Sequence, residues 1–208
     1  TAAATLTTSG GTEDGYAAIH FGANTYTFRS GVGVAFVLVT DEDRDNIYLD
    51  EGLYPAAETL DFSTIQSLLS SKNIGFTAIV DQGIYPSGTD PSNPGEAPRA
   101  LIMNGDGEVS FANGTGGLTE TSPEPNGVLG DTGDSTKADY SELAQQLGGC
   151  VGDLNRIREG GLTADSFAEA FIQCLTLAIQ EGGTVTEGGL TPIAANRLQR
   201  QVAQVLDA

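Results

Sequence analysis

The spacing of apolar positions changes character near residue 138. Before it, apolar residues come in short runs or alternate with polar ones, the strand signature. Tyr16–Phe21 (YAAIHF) and Thr25–Arg29 (TYTFR) read as strands around a turn at Gly22–Asn24. Val32–Thr40 (VGVAFVLVT) is the strongest strand, β-branched and apolar on both faces, which predicts a central position covered on both sides. Asn46–Asp50 (NIYLD) alternates and is expected to pair back onto it. Leu60–Asn73 reads as a short helix. Asp61 is placed to cap its first turn, Leu60 to staple onto Ile65, and Asn73 to take the left-handed closing position. Ile74–Asp81 (IGFTAIVD) is a second buried strand.

Gln82–Pro98 holds four prolines and three glycines and predicts a long loop. Ala100–Ala112 reads as a hairpin turning at Asn104-Gly105. Asn113–Thr136 is rich in Gly, Thr, Pro and acids and reads as a linker. From Ala138 the apolar positions Leu143, Leu147, Val151, Leu154 and Ile157 recur at three and four residues. That predicts one helix through Gly148, Gly149 and Gly152, where bare glycine suggests another backbone passing close; two helices broken at Gly148-Gly149 are the alternative. Thr163 is expected to cap the next helix, with Leu162 stapled onto Phe167 and with Phe167, Phe171, Cys174, Leu175 and Ala178 on its buried face. Thr191-Pro192 opens a last helix striped by Ala195, Leu198, Val202 and Leu206. The tetrapeptide GGLT occurs at Gly116, Gly160 and Gly188, but its flanks differ, so it reads as recurring cap chemistry and not as a repeat.

These elements give an α+β fold. A mostly β N-terminal body, sandwich-like or a mixed sheet with one short helix, precedes a C-terminal segment of about three helices. The divisions expected are a polar arm over 1–14, a β-rich body over 15–112, a linker over 113–137 and a helical region over 138–208.

Charge sharpens the picture. Among 208 residues, 28 acids face 9 bases, for a net charge of −19. Such a chain repels nucleic acid and anionic membranes, so neither is an expected partner. No apolar run approaches the roughly 18 residues that suggest a membrane span. The composition resembles that of proteins from salt-loving archaea or their viruses, and equally that of an acidic mesophilic or marine protein. The chain starts at Thr1, which reads as removal of a Met or a longer leader.

Candidate chemistry is sparse. Asp41, Asp43, Asp45 and Asp50 could supply oxygen ligands to calcium, although a helix-flanked calcium loop beginning at Asp41 would need Glu where Gly52 stands. A water-solvated acidic turn is the preferred reading, and no cofactor is expected beyond that calcium. Asn104–Val109 also mimics part of a calcium loop, but Ile102 occupies its first ligand position. Asp131-Thr132-Gly133 matches the triplet at aspartic-protease active sites, yet it stands in a polar linker without strands to hold it. His20 is the chain's one histidine and reads as a hydrogen-bonded structural side chain. Cys150 and Cys174 fall on apolar helical faces and read as buried thiols, with a disulfide joining two helices as the rival. Asn113-Gly114-Thr115 is an N-glycosylation triplet. GxSxG, GxxxxGK and GxGxxG are all absent.

By elimination, the sequence favours a non-enzymatic structural subunit, of virus-particle, tail or surface-lattice type, that assembles with itself or with other structural subunits in a virion or outside the cell. A secreted or surface calcium-dependent binding module is the first alternative, and a carboxylate-based hydrolase the second.

Overall fold

The computed structural model describes residues 14–44, 60–120, 127–131 and 136–182. The expected strand Asn46–Asp50, nearly all of the expected arm, the helix after Thr191, and Asp45 and Asp50 lie outside the described residues.

The fold is α+β, built on one mixed sheet. Its strands are β1 (Val34–Thr40), β2 (Ile74–Val80), β4 (Ile102–Met103), β5 (Val109–Ala112), β6 (Leu118–Glu120) and β8 (Val151–Asp153), in the spatial order β1-β2-β8-β4-β5-β6. The first three in that order run parallel, and β4, β5 and β6 continue as an antiparallel meander. A separate ribbon pairs β3 (Ile84–Tyr85) with β7 (Val128–Leu129). Parallel strands need a crossover, and α2 (Phe62–Ser71) lies in the one between β1 and β2.

Helix α2 follows its sequence signals. The Asp61 carboxylate accepts from the Thr64 amide at 2.7 Å, Leu60 and Ile65 are both buried, and Asn73 closes the helix with φ +53°.

Tyr16–Arg29 departs from expectation. Instead of two strands it contains α1 (Gly15–Thr25) followed by extended chain. Tyr16, Ile19 and Ala23 are buried at helical spacing. Asp14 caps the helix and pairs with Arg44, whose guanidinium also lies 4.1 Å over the Tyr16 ring. The Tyr140 hydroxyl accepts from the Gly15 amide at 3.0 Å, and Tyr16 donates to the Asp139 carbonyl at 2.7 Å. These contacts dock α1 onto the π-helical turn Lys137–Ser141 and the following α3 (Glu142–Gln146).

The segment expected as one helix through Gly148 is also rebuilt. Helix α3 ends at Gln146, Gly148 turns with φ +73°, and β8 enters the sheet before α4 (Leu154–Arg158) begins. The expected close backbone approach is there, but between strand and turn. A Cβ on Gly149 would overlap the Phe76 carbonyl oxygen, and one on Gly105 would overlap the Gly148 carbonyl. Gly152 has no side chain because the Phe167 ring lies across it.

Helices cover the sheet on two faces. On one, Phe76, Ala78 and Val80 of β2 pack with Ile19, Ile65, Leu69 and Leu143. On the other, Ile79 and Ile102 pack with Phe167, Ala170 and Cys174 of α5 (Gly161–Gly182). Helix α5 starts two residues before the expected cap at Thr163, and Leu162 is exposed instead of stapled. Strand β1 is correct in position, but among the described strands it lies at the sheet edge, not the centre, and Val37 and Val39 are 39% and 58% exposed.

Cys150 and Cys174 form a disulfide with Cα atoms 6.3 Å apart, which corrects the preferred expectation of free thiols. Its first half-cystine immediately precedes β8, so the bond ties strand to helix and not helix to helix. The region expected as linker contributes β6 and β7. Helices and strands are thus interleaved along the chain, with α1 and α2 inside 15–112 and β8 inside 138–208.

Candidate functional site

Each of the three parallel strands runs into an aspartate at its carboxyl end. Asp41 follows β1, Asp81 follows β2, and Asp153 closes β8. The register pairs Thr40 with Val80 and Val80 with Asp153, which brings the three to one edge of the sheet. In open sheets of parallel strands, this edge is where ligand sites lie.

Asp153 is fully buried. Arg99, just upstream of β4, donates to it through two nitrogens, Nε to Oδ2 and Nη2 to Oδ1. The Asn155 amide donates to Oδ1 at 3.0 Å, making Asp153 the cap of α4. Burial pushes its carboxyl up to about 6, against the opposing pull of Arg99. Arg99 also lies 4.0 Å from Asp81, whose Oδ1 accepts from the Asn155 side chain. At the β1 end, Asp41 is exposed and accepts from Arg158; that hydrogen bond holds its carboxyl below the usual range.

Beside this network opens a cleft of about 470 Å³. Pro86, Pro98, Phe111 and Ala112 form apolar walls. Arg99 and Arg156 supply its charge, and Thr119 its one neutral polar side chain. Arg156 donates to Glu159 through Nη1, while its Nε is buried with no hydrogen-bond acceptor. The segment leading into β4 presents Arg99, β5 presents Phe111, and α4 presents Arg156.

The residues singled out from sequence fall elsewhere or in part. Asp41 and Asp43 sit at the carboxyl end of β1. Among the described residues, no three His, Cys, Asp or Glu side chains gather closely enough to hold a metal ion; Asp45 and Asp50 lie outside them. His20 lies half-buried on α1, its Nε2 3.1 Å from the Asn24 side chain. Asp131 is exposed beyond β7, its amide donating to the Pro91 carbonyl at 2.9 Å, and Thr132-Gly133 lie outside the described residues. The Asn104 side chain accepts from the amides of Asp106 and Glu108, so the calcium-like segment Asn104–Val109 is a self-closed turn whose positive φ falls at Gly107. Asn113 is exposed, and its side-chain Oδ1 accepts from the Thr115 amide and hydroxyl at 2.8 Å.

Arg99, Asp153, Asn155 and Arg156 were not among the residues the sequence pointed to. A signal for part of the site was present: LVTD, AIVD and CVGD are each a run of mainly apolar residues ending in Asp at positions 41, 81 and 153. None of the described helices is long and apolar enough to cross a membrane. No family model, curated protein or solved structure matches the chain.

Proposed function

We propose that this chain is a non-enzymatic binding module that works in an oxidising, extracellular setting and meets its ligand at the carboxyl ends of β2 and β8. One observation carries the reading: Asp81, Arg99, Asp153 and Asn155 form a connected polar network at that edge, opening onto the cleft between Arg156 and Phe111. The disulfide supports the setting, because such bonds persist mainly outside reducing compartments. Non-enzymatic use is supported by how the reactive groups are engaged. Asp153 is held by Arg99, Asp81 by Asn155, and both cysteines by each other. These are groups for holding, with no nucleophile–base pair among them.

The test is a thermal-shift screen of the intact chain against small carboxylates, sugars, short peptides and calcium. The expected outcome is a ligand that raises Tm without being turned over, with the rise reduced by Asp81→Asn or Arg156→Gln. Turnover, no ligand at all, or a ligand indifferent to both substitutions overturns the reading. The calcium arm tests Asp41, Asp43, Asp45 and Asp50 directly.

Self-assembly remains a second reading, supported by exposed apolar side chains: Val37 and Val39 on β1, which is an edge strand among the described residues, and Ile172 on α5, which is 63% exposed. Sizing in high and low salt separates the two, since a concentration-independent monomer counts against it.

A further inference from the structure

The cleft's donors outnumber its acceptors. A guanidinium carries five N–H donors. Arg99 spends Nε and one Nη2 bond on Asp153, leaving Nη1 without an acceptor among the described residues. Arg156 spends Nη1 on Glu159, and neither Nε nor Nη2 meets an acceptor there. Every other lining residue except Thr119 is apolar, so no lining carboxylate competes for these donors. Planar guanidinium forks match carboxylates in geometry as well as charge. The apolar part of the lining is Phe111 and Ala112 with Pro86 and Pro98. The volume, about 470 Å³, fits a small ligand.

We infer that the cleft between Arg99, Arg156 and Phe111 binds a carboxylate carried on a flat apolar body, the carboxylate facing the two guanidinium groups and the body lying against Phe111 and the prolines. This rests on the binding-module reading and narrows it to one ligand chemistry. Phe111 gives the ring a face to pack on, and Arg156 discriminates charge. Arg99 serves chiefly as a positioned donor, because Asp153 fixes its orientation.

The experiment is a ¹H–¹⁵N NMR titration of the intact chain, including the arginine Nε signals. The probes are benzoate, a blocked dipeptide ending in a free phenylalanine carboxylate, and benzamide as the uncharged shape control. Expected are shifts at Arg156, Arg99 and the Phe111–Thr119 region with benzoate, and at least tenfold weaker binding of benzamide. Arg156→Gln is expected to weaken benzoate at least tenfold, and Arg156→Lys, which keeps the charge but loses the fork, severalfold. An unchanged amide spectrum outside the cleft shows that both variants still fold. Binding of the dipeptide tighter than benzoate identifies a peptide carboxyl terminus as the source; binding of benzoate alone identifies a free acid. Benzamide binding as well as benzoate, indifference to Arg156→Gln, or no shift with either acid overturns the inference. If another ligand from the broad screen still binds at this edge, the carboxylate assignment fails and the binding-module reading survives.

Discussion

Replacing Asp153 by Asn separates the charge of this side chain from its shape. Asn keeps one oxygen, which can still cap α4 and accept from Arg99 Nη2, but it sets an NH2 donor where the second carboxylate oxygen accepts from Arg99 Nε, a loss that does not vary with pH over this range. The pH-dependent part of the stability difference therefore reports the ability to ionise. Burial raises the native carboxyl from 3.8 to about 6, so over that interval the folded chain binds a proton that the unfolded chain has released. Stability falls with rising pH wherever the folded state binds more protons, so Asp153 costs stability progressively from about pH 4 to about pH 6, and the cost is constant above that. At about 1.4 kcal/mol per pH unit, the displacement is worth about 3 kcal/mol, an order-of-magnitude figure. The other carboxylates titrate alike in both proteins and cancel in the comparison. Urea unfolding of wild type and Asp153→Asn at half-unit steps from pH 3.5 to 7.5 is therefore expected to show the variant gaining on wild type by about 3 kcal/mol as pH rises, with the change centred near pH 5. A stability difference flat across the range, or wild type gaining instead, would show that Arg99 compensates the buried charge fully and would refute the reasoning.

Two further substitutions test the packing around β8. Gly149→Ala places a methyl group against the Phe76 carbonyl oxygen and 2.8 Å from its carbon, on backbone that cannot swing aside. Overpacking plus a weakened Ala78–Cys150 hydrogen bond is expected to cost about 3 kcal/mol, read as a lowered urea midpoint. Removing the disulfide with the double change Cys150→Ala and Cys174→Ala releases a loop closed across a separation of 24 residues; the loss expected from chain entropy is about 3–4 kcal/mol, read by thermal unfolding. Free thiols detected in the native, unreduced chain would contradict the bond itself.

The sequence was most legible where local chemistry and tertiary context agree. Val32–Thr40 and Ile74–Asp81 are dense in β-branched residues, and Leu60–Asn73 carries its own cap, staple and closing Asn; all three formed close to the expected bounds. The parallel pairing of β1 with β2 was not legible, because nothing local distinguishes an edge strand covered on one face from a central one. Tyr16–Arg29 misled because Tyr, Ile, Phe and Thr are residue types that favour strands, whereas the decisive feature is the spacing of Tyr16, Ile19 and Ala23. Around Gly148 the reverse happened. Helical spacing continued through Val151 and Leu154, but three residues of that run complete a sheet assembled from distant segments. The site was obscured for the same reason: Arg99 and Asp153 are 54 residues apart and meet only because β4 lies beside β8.

Strand β8 has a consequence for how the chain reaches this form. It is three residues long and, among the described strands, the last in the chain, yet it hydrogen-bonds β2 on one side and β4 on the other. Among the described strands, those of 34–80 and those of 102–120 share no ladder, so the two groups join in one sheet only once Val151–Asp153 is in place. Each must keep an open flank until then, so a keystone laid last makes assembly slow and leaves truncated products prone to stick to one another.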